Sequence, residues 1–452
     1  MEMLQTLIVI ECLVLGLLLC LAAGYFYLQS HRITDTRVFG LLALVFYYCM
    51  PGILGAVSPT FLRLMVPLAR ADVLLPLAIG LPLMTASVFA GIFIRFGRPK
   101  RRSPKKEWKL ARQLAIQYRP GSLFLVSFLF FCIGLVGVYK ELHAAGGWFA
   151  VLQGGSSAYA EARITGAVGF WGVIIAFIPV AAIGMMYSTV LSQAVPRGLR
   201  WPIVLAILAG SIGVISLLTT RHLSVMLLLS VVALLEIRNR VLFRMVAPLL
   251  LVLVAVGAVA LASVRYSSKA QNIDEFTGNF EQIKVSERII SVIRIQGYVW
   301  GGNVPDLFTG VVPRAIWPNK PVGSTINHVV FWEAAKVGGV KVEGLLGEAY
   351  ASGGLVFVVL EGFLFGVMLR RLPAVWERRR ANSFQFMAYG AVILGFIYMS
   401  ARMGFIGPQD FTFLLMIGQI KVVNWLCGYR VKQESFQRAP VIAATGGAST
   451  AV

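Results

Sequence analysis

The chain has 452 residues, 58% of them apolar and only 13% charged. With a mean hydropathy of +0.78 it carries about half the charge of a soluble domain, which excludes an ordinary globular enzyme. Its formal charge of +21 would suit a nucleic-acid ligand, unless the basic residues serve another purpose.

The apolar residues fall in blocks of 17 to 25, and about 20 residues of helix cross a bilayer. The fold class expected is therefore an all-α polytopic integral membrane protein with eleven spans (range 10–12). These lie near 5–28, 38–57, 73–94, 121–139, 168–191, 202–219, 222–236, 245–264, 349–369, 384–400 and 410–427, within one transmembrane domain over 1–427. The first block has neither a basic leader nor a small-residue cleavage site, so it reads as a retained span.

The connecting segments 29–37, 95–120, 192–201, 237–244 and 370–383, with the tail from 428, hold 25 of the 41 Lys and Arg. They hold five of the 20 acids, counting Glu236 at a boundary, and they alternate with the other connections. The positive-inside rule makes them cytoplasmic, with the N-terminus outside and the C-terminus inside. Nearly the whole net charge is then an orientation signal, and no nucleic acid is expected.

The densest basic segment is the cytoplasmic loop 95–120, where Arg95–Arg119 has ten Lys/Arg against Glu107. It reads as a site for anionic lipid or RNA, or more simply as a stop signal resting on anionic headgroups. Five cysteines (Cys12, Cys20, Cys49, Cys132, Cys427) all fall within spans and serve as small apolar fillers. The tail 428–452 turns rich in Ala, Gly, Ser and Thr after Arg438 and is expected to be partly disordered.

Two loops on the far side, 140–167 and 265–346, are too long for plain connectors. In the larger, Phe276, Phe280, Ile283, Ile290 and Ile293 recur at near-helical spacing. This predicts an amphipathic helix, lying either in the membrane interface or against the spans. Three prolines (Pro313, Pro318, Pro321) then impose an extended or turned path that carries Arg314, Trp317 and Lys320. Trp317 suits headgroup depth, and the two cations suit an anion at the surface, although a plain interfacial anchor has the same spacing.

Residues 202–235 must cross twice, which leaves Thr219-Thr220-Arg221-His222 at or just below the outer boundary. An arginine there marks a site or snorkels to headgroup phosphates. Arg163 and Arg402 also stand at outer span ends. Several arginines converging on one membrane face can hold a diphosphate, because guanidinium groups grip phosphate oxygens two at a time and keep their charge.

The far-side acids are Glu161, Asp306, Glu333, Glu343, Glu348 and Asp410. Glu348 enters a span and Asp410 opens one, where an acid also complements the helix dipole. His328 is a further candidate base. No two of the four histidines are spaced as a metal pair. The chain has no Walker A sequence, no Asp-x-Asp or His-Glu-x-x-His pattern, and no Gly-x-Ser-x-Gly element. Chemistry on, or transport of, a lipid with an anionic head remains.

One order of motifs now stands out. Tyr-x-x-x-Arg (Tyr159, Arg163) is followed by Thr-Thr-Arg-His (Arg221), then Pro-Arg-x-x-Trp-Pro-x-Lys-Pro (Pro313 to Pro321). Gly-Glu-x-Tyr-x-x-x-Gly (Gly347 to Gly354) comes next, and then Arg402 in a short outer turn. From about residue 120 to 425 the chain resembles the Wzy-type oligosaccharide repeat-unit polymerases, also called O-antigen polymerases. It reads Ala351-Ser352-Gly353-Gly354 where such proteins often have Asn-Phe-Gly.

The resemblance implies a GT-C-type glycosyltransferase of the bacterial inner membrane, without metal or other cofactor. Its substrates would be undecaprenyl-pyrophosphate-linked oligosaccharides at the periplasmic face, with a chain-length regulator and a flippase as further partners. Arg163, Arg221, Arg314, Lys320 and Arg402 would hold the pyrophosphate. Tyr159, Trp317 and Tyr350 would meet the glycan and the interface. Glu348, Asp410 or His328 would act as the base. The alternatives are a ligase that moves glycan onto lipid A core and a flippase for the same lipid.

Overall fold

The computed structural model describes residues 2–32, 34–57, 71–94, 116–148, 170–217, 221–238, 282–300, 302–306, 312, 316–317, 325–331, 343–379, 382–405 and 410–430. In chain order these form α1 (Glu2–Ser30), α2 (Thr36–Leu44), a π-helical turn (Val45–Cys49), α3 (Met50–Val57) and α4 (Ala71–Phe93). There follow β1 (Ile116–Tyr118), α5 (Pro120–Ala144), α6 (Phe170–Ile175), α7 (Phe177–Leu191), α8 (Arg197–Leu217) and α9 (Arg221–Arg238). The rest are α10 (Gln282–Gln296), α11 (Thr325–Val330), α12 (Gly344–Glu377), α13 (Ser383–Met403), α14 (Asp410–Cys427) and β2 (Gly428–Arg430).

Among the described residues, eight helical segments are long and apolar enough to cross a membrane: Met3–Ser30, Thr36–Ile53, Asp72–Phe93, Pro120–Ala144, Trp171–Leu191, Arg197–Ile215, Gly344–Glu377 and Ser383–Met403. Leu223–Val232 and Phe411–Cys427 are shorter apolar helices. The protein is therefore a membrane-embedded bundle, almost entirely helical among the described residues. Ten of the eleven expected spans have a counterpart here, and 245–264 lies outside the described residues. Leucines along one side of α1 (Leu13, Leu17, Leu21, Leu28) and the Leu125, Phe128, Leu129 stripe of α5 are exposed, as a lipid-facing surface requires.

The bundle has two apolar cores. The first joins α1 to α4 with α10, α11 and α12; the second joins α5, α7, α8, α9 and α14. Helix α13 serves both: Ile393, Leu394 and Ile397 face the first core, while Met387, Ala391 and Val392 face the second. In the first core, α12 and α4 come into backbone contact. A methyl group on Gly362 would lie 2.9 Å from the Met84 carbonyl oxygen, and one on Gly366 would strike that of Val88. Gly362-x-x-x-Gly366 is thus a small-residue seam of the kind that packs membrane helices, where only close van der Waals fit is gained.

Contacts between the ends show that the helices alternate in direction. Arg32 pairs with Glu377, Arg370 donates to the Ile94 carbonyl, and β1 pairs antiparallel with β2. Ser30, Thr36, Phe93, Pro120, Glu377, Ser383 and Cys427 therefore share one end, here the ribbon end, which also gathers the described parts of the basic segments. The starts of α4, α9, α12 and α14 and the ends of α5, α8 and α13 share the other.

Two boundaries differ from expectation. The span expected at 121–139 continues to Ala144, which shortens the following loop by a turn. The span expected at 349–369 runs from Gly344 to Glu377, and Gly353 (φ 176°, ψ 34°) and Gly354 (φ 69°, ψ −155°) break it. Leu346 and Leu355 both lie against Gly80. Nine residues of straight helix would separate them by about 13 Å, so the chain turns sharply at the break.

Candidate functional site at the broken helix

The turn of α12 is supported from outside by the segment after α10. Losing the helical ladder at the glycines frees the Ala351 carbonyl, which accepts from Val299 N–H at 2.9 Å. The Tyr298 ring meets Tyr350 edge-on at 6.0 Å and Trp300 at 5.4 Å, and Trp300 in turn meets Phe357. Aromatic rings thus bracket the break on both sides. A methyl group on Gly354 would come 2.7 Å from the Tyr298 hydroxyl, and its positive φ favours glycine in any case.

Helix α10 is the amphipathic helix, and its surroundings decide between the two readings. Ile283, Ile289, Ile290 and Ile293 are in the first core, with Ile289 and Ser286 against Gly347. Lys284, Arg288 and Arg294 point outward. The helix packs on the spans, and Arg294 pins it by donating to the Asp72 carbonyl at the start of α4. Phe276 and Phe280 lie outside the described residues.

Glu348 is 1% exposed. Its Oε1 accepts from Asn303 Nδ2 at 3.2 Å, and its Oε2 accepts from the backbone N–H of Phe405. The carboxylate thereby ties the loop after α10 to the end of α13. Gly404 makes the approach possible: its φ is +95°, and a methyl group there would collide with Glu348 Oε2. Asn303 sits in a tight turn, with Asp306 N–H donating to its carbonyl at 2.9 Å. Asp306 then caps α11, accepting from Thr325 N at 2.6 Å and from Thr325 Oγ1 at 2.9 Å. Burial raises the Asp306 pKa, and the Thr325 bonds oppose that shift.

The π-helical turn places two consecutive tyrosines beside this lock. Tyr48 Oη donates to the Ala401 carbonyl at 3.2 Å and accepts from Leu346 N–H at 3.3 Å. It satisfies one of the amide groups that a helix start leaves unpaired. The Tyr47 ring meets that of Tyr398 edge-on at 5.8 Å, and Arg402 follows Tyr398 by one turn of α13. Single π turns inside α-helices are frequent at functional sites.

Arg221 is the first residue of α9, and at most residues 218–220 separate that helix from the end of α8. A cation there opposes the helix dipole, so helix stability does not explain it. On the packed, antiparallel pair α9 and α13, Met226 fills the space over Gly395. Arg221 is five residues from that contact and Arg402 is seven, or about 8 and 10 Å toward the same end. The helix ends bearing Arg221 and Arg402 are therefore neighbours at this end of the bundle.

Several buried oxygens around this end have no hydrogen-bond partner: Gln282 Oε1, Ser286 Oγ, Asn303 Oδ1, Ser352 Oγ and Ser400 Oγ. Buried polar atoms are ordinarily paired with protein or ordered water, so these oxygens leave room for further hydrogen bonds at this end.

Of the residues singled out in the sequence, the structure brings Glu348, Tyr350 and the helix ends bearing Arg221 and Arg402 together. Asp410 opens α14 and His328 lies on α11. Trp317 is half-buried next to the exposed Ile316. Tyr159, Arg163, Glu161, Arg314, Lys320 and Glu333 lie outside the described residues. Sequence reasoning passed over Tyr47, Tyr48, Glu361 and Glu141, the last buried at the end of α5 against Gly172. A lone acid in an apolar block was the available signal for Glu361; the adjacent Tyr47 and Tyr48, and Glu141 beside Lys140, gave none of that kind. Among the described residues no group of three or more His, Cys, Asp or Glu is placed to hold a metal.

Comparison with protein-family models, with curated proteins and with solved structures returned no match.

Proposed function

We propose that this protein polymerises oligosaccharide repeat units carried on a polyprenyl pyrophosphate, at the membrane face reached by the broken end of α12. The observation that carries the reading is the buried Glu348 carboxylate at the broken helix, held by Asn303 and by the Phe405 amide. Phe405 follows the helix end bearing Arg402, and the neighbouring α9 starts at Arg221 toward the same end. The bond between the glycan and its pyrophosphate breaks while a hydroxyl oxygen of the acceptor sugar bonds to the freed anomeric carbon. The hydroxyl proton passes to a base, and the lipid pyrophosphate leaves carrying the negative charge. Arg221 and Arg402, with Arg163, Arg314 and Lys320 from the loops, stabilise that growing charge; one such donor contributes about 2.7–4 kcal/mol.

Glu348 is the first candidate base and Asp410 the second, with His328 behind them. Because both Glu348 oxygens already accept hydrogen bonds, it takes the proton on a remaining lone pair. The basic ribbon end faces the cytoplasm by the positive-inside rule, and the site faces the periplasm. The GT-C class, the undecaprenyl carrier and the inner membrane of a bacterium follow from the family resemblance.

Purified protein in liposomes with lipid-linked repeat units tests the reading. A ladder of products is expected, falling about 10²–10³-fold in Arg221→Ala; a full ladder from that variant overturns the assignment of the arginines. A requirement for lipid A core would make the protein a ligase. A second reading, a flippase, draws on the broken helix and the acid inside α12, features that transporters place near the bilayer midplane. Movement of the lipid between leaflets with no new bond would establish it.

A further inference from the structure

Glu361 is not used by the mechanism above. It lies six residues past the Gly354–Leu355 turn, about 9 Å along the second segment of α12. It is eight residues before Leu369, whose carbonyl accepts from Thr36 near the ribbon end. This places it deep within the span. It is 7% exposed, its Oε2 has no hydrogen-bond partner, and no Lys or Arg among the described residues pairs with it. The neighbouring hydroxyls of α4 are already committed, Thr85 to the Leu81 carbonyl and Ser87 to that of Leu83. A leucine would pack here at no electrostatic cost, whereas an ionised carboxylate without a partner in such a medium is strongly disfavoured.

The charged and titratable groups on the elements packed against α12 are few. On α10, Lys284, Arg288 and Arg294 occupy the exposed face with Glu287 beside them. Asp72 is at the start of α4, held to Arg294. Tyr398 and Arg402 on α13 gather around Tyr47, Tyr389 lies under Arg379 at the ribbon end, and Cys49 follows Tyr48. Phe365, one turn beyond Glu361, meets Phe405, whose amide holds Glu348. Tyr48 is bonded to the Ala401 carbonyl and the Leu346 amide, so its hydroxyl is committed away from Glu361.

We propose that Glu361 is an intramembrane proton-binding site, neutral at rest. A sodium ion is the other small cation a lone acid could attract, but it needs several oxygen ligands, and the nearby hydroxyls point to their own helix.

Infrared spectroscopy of the full-length protein in liposomes tests this without requiring any turnover, so its outcome is separate from that of the polymerase reading. At neutral pH the wild type is expected to show a protonated-carboxyl carbonyl band that shifts in heavy water and loses one carboxyl's intensity in Glu361→Gln. Equal intensity in that variant overturns the assignment. Should Glu361→Gln fail to fold, Glu361→Asp serves instead: the protonated-carboxyl band should move in frequency with the altered side chain, and a band unchanged in frequency overturns the assignment. Replacing sodium with a large organic cation should leave the band in place, and a sodium-dependent shift overturns the proton.

Discussion

The two ends of the bundle leave buried oxygens unpaired to different extents: Ser127 Oγ near Phe384 toward the ribbon end, against five around the broken end of α12. At the ribbon end, Tyr118 Oη donates to Asn424 and accepts from Gln385 Nε2 at 3.2 Å, and Asn382 caps α13 through Gln385 N at 3.0 Å. Trp376 Nε1 donates to the Phe386 carbonyl at 2.8 Å. This network closes on itself and fastens β1, α12, α13 and α14 together. At the broken end of α12, Glu348 is held just as firmly, yet five buried oxygens around it stay unpaired. Fully satisfied polar networks rigidify, and unsatisfied ones cost stability unless something else benefits. The contrast separates a clamp from a site.

The strongest way to break that contrast is to fill Gly404. Gly404→Ala adds about 1–2 kcal/mol of left-handed backbone strain to a collision with Glu348. Loss of both polymer formation and thermal stability in detergent is expected; wild-type behaviour in both would show that Glu348 does not hold the end of α13. Next, Gly354→Ala should cost about 1–2 kcal/mol, since it crowds Tyr298 and must adopt φ 69°. A drop in melting temperature should accompany slower turnover. Tyr118→Phe sharpens the comparison from the other end. It removes both bonds of the clamp, so about 1–3 kcal/mol of stability should go, while turnover per folded molecule stays unchanged. Slower turnover at full occupancy of the folded state would give the ribbon end a part in the reaction.

The smallest effect concerns Asp306. Burial raises its folded pKa above the unfolded value, so the folded state binds the proton more tightly. Its contribution is complete below the ordinary carboxylate range and declines as pH rises through the raised value. Hydrogen exchange of α11 should therefore be better protected in mild acid than at neutral pH. Asp306→Asn should flatten that dependence, and the opposite slope would contradict the assigned burial effect.

Much of the architecture was legible. Hydrophobic length marked the spans, and the shortage of residues between 202 and 235 put Arg221 at a helix start. Spacing of Ile283, Ile290 and Ile293 found α10. The break in α12 was hidden because Gly353-Gly354 sits in an apolar block whose average is unaffected by two glycines. Asn303 and Phe405 could not be read as partners of Glu348, since they are 45 and 57 residues away in the chain. Glu361 passed as a tolerated acid, because only its surroundings show that nothing neutralises it. Tyr48 could not be read as a partner of Leu346 and Ala401, which are 298 and 353 residues away in the chain.

By itself the sequence determined that the chain is a bundle of membrane helices with its basic segments on alternate connections. Those properties are local: apolar length and charge are counted along the chain, and the bilayer enforces them one segment at a time. Only the tertiary structure decided which polar groups meet and which stay unpaired. Such pairings depend on close approaches between distant segments, through Gly80, Gly366 and Gly404, that no local count contains.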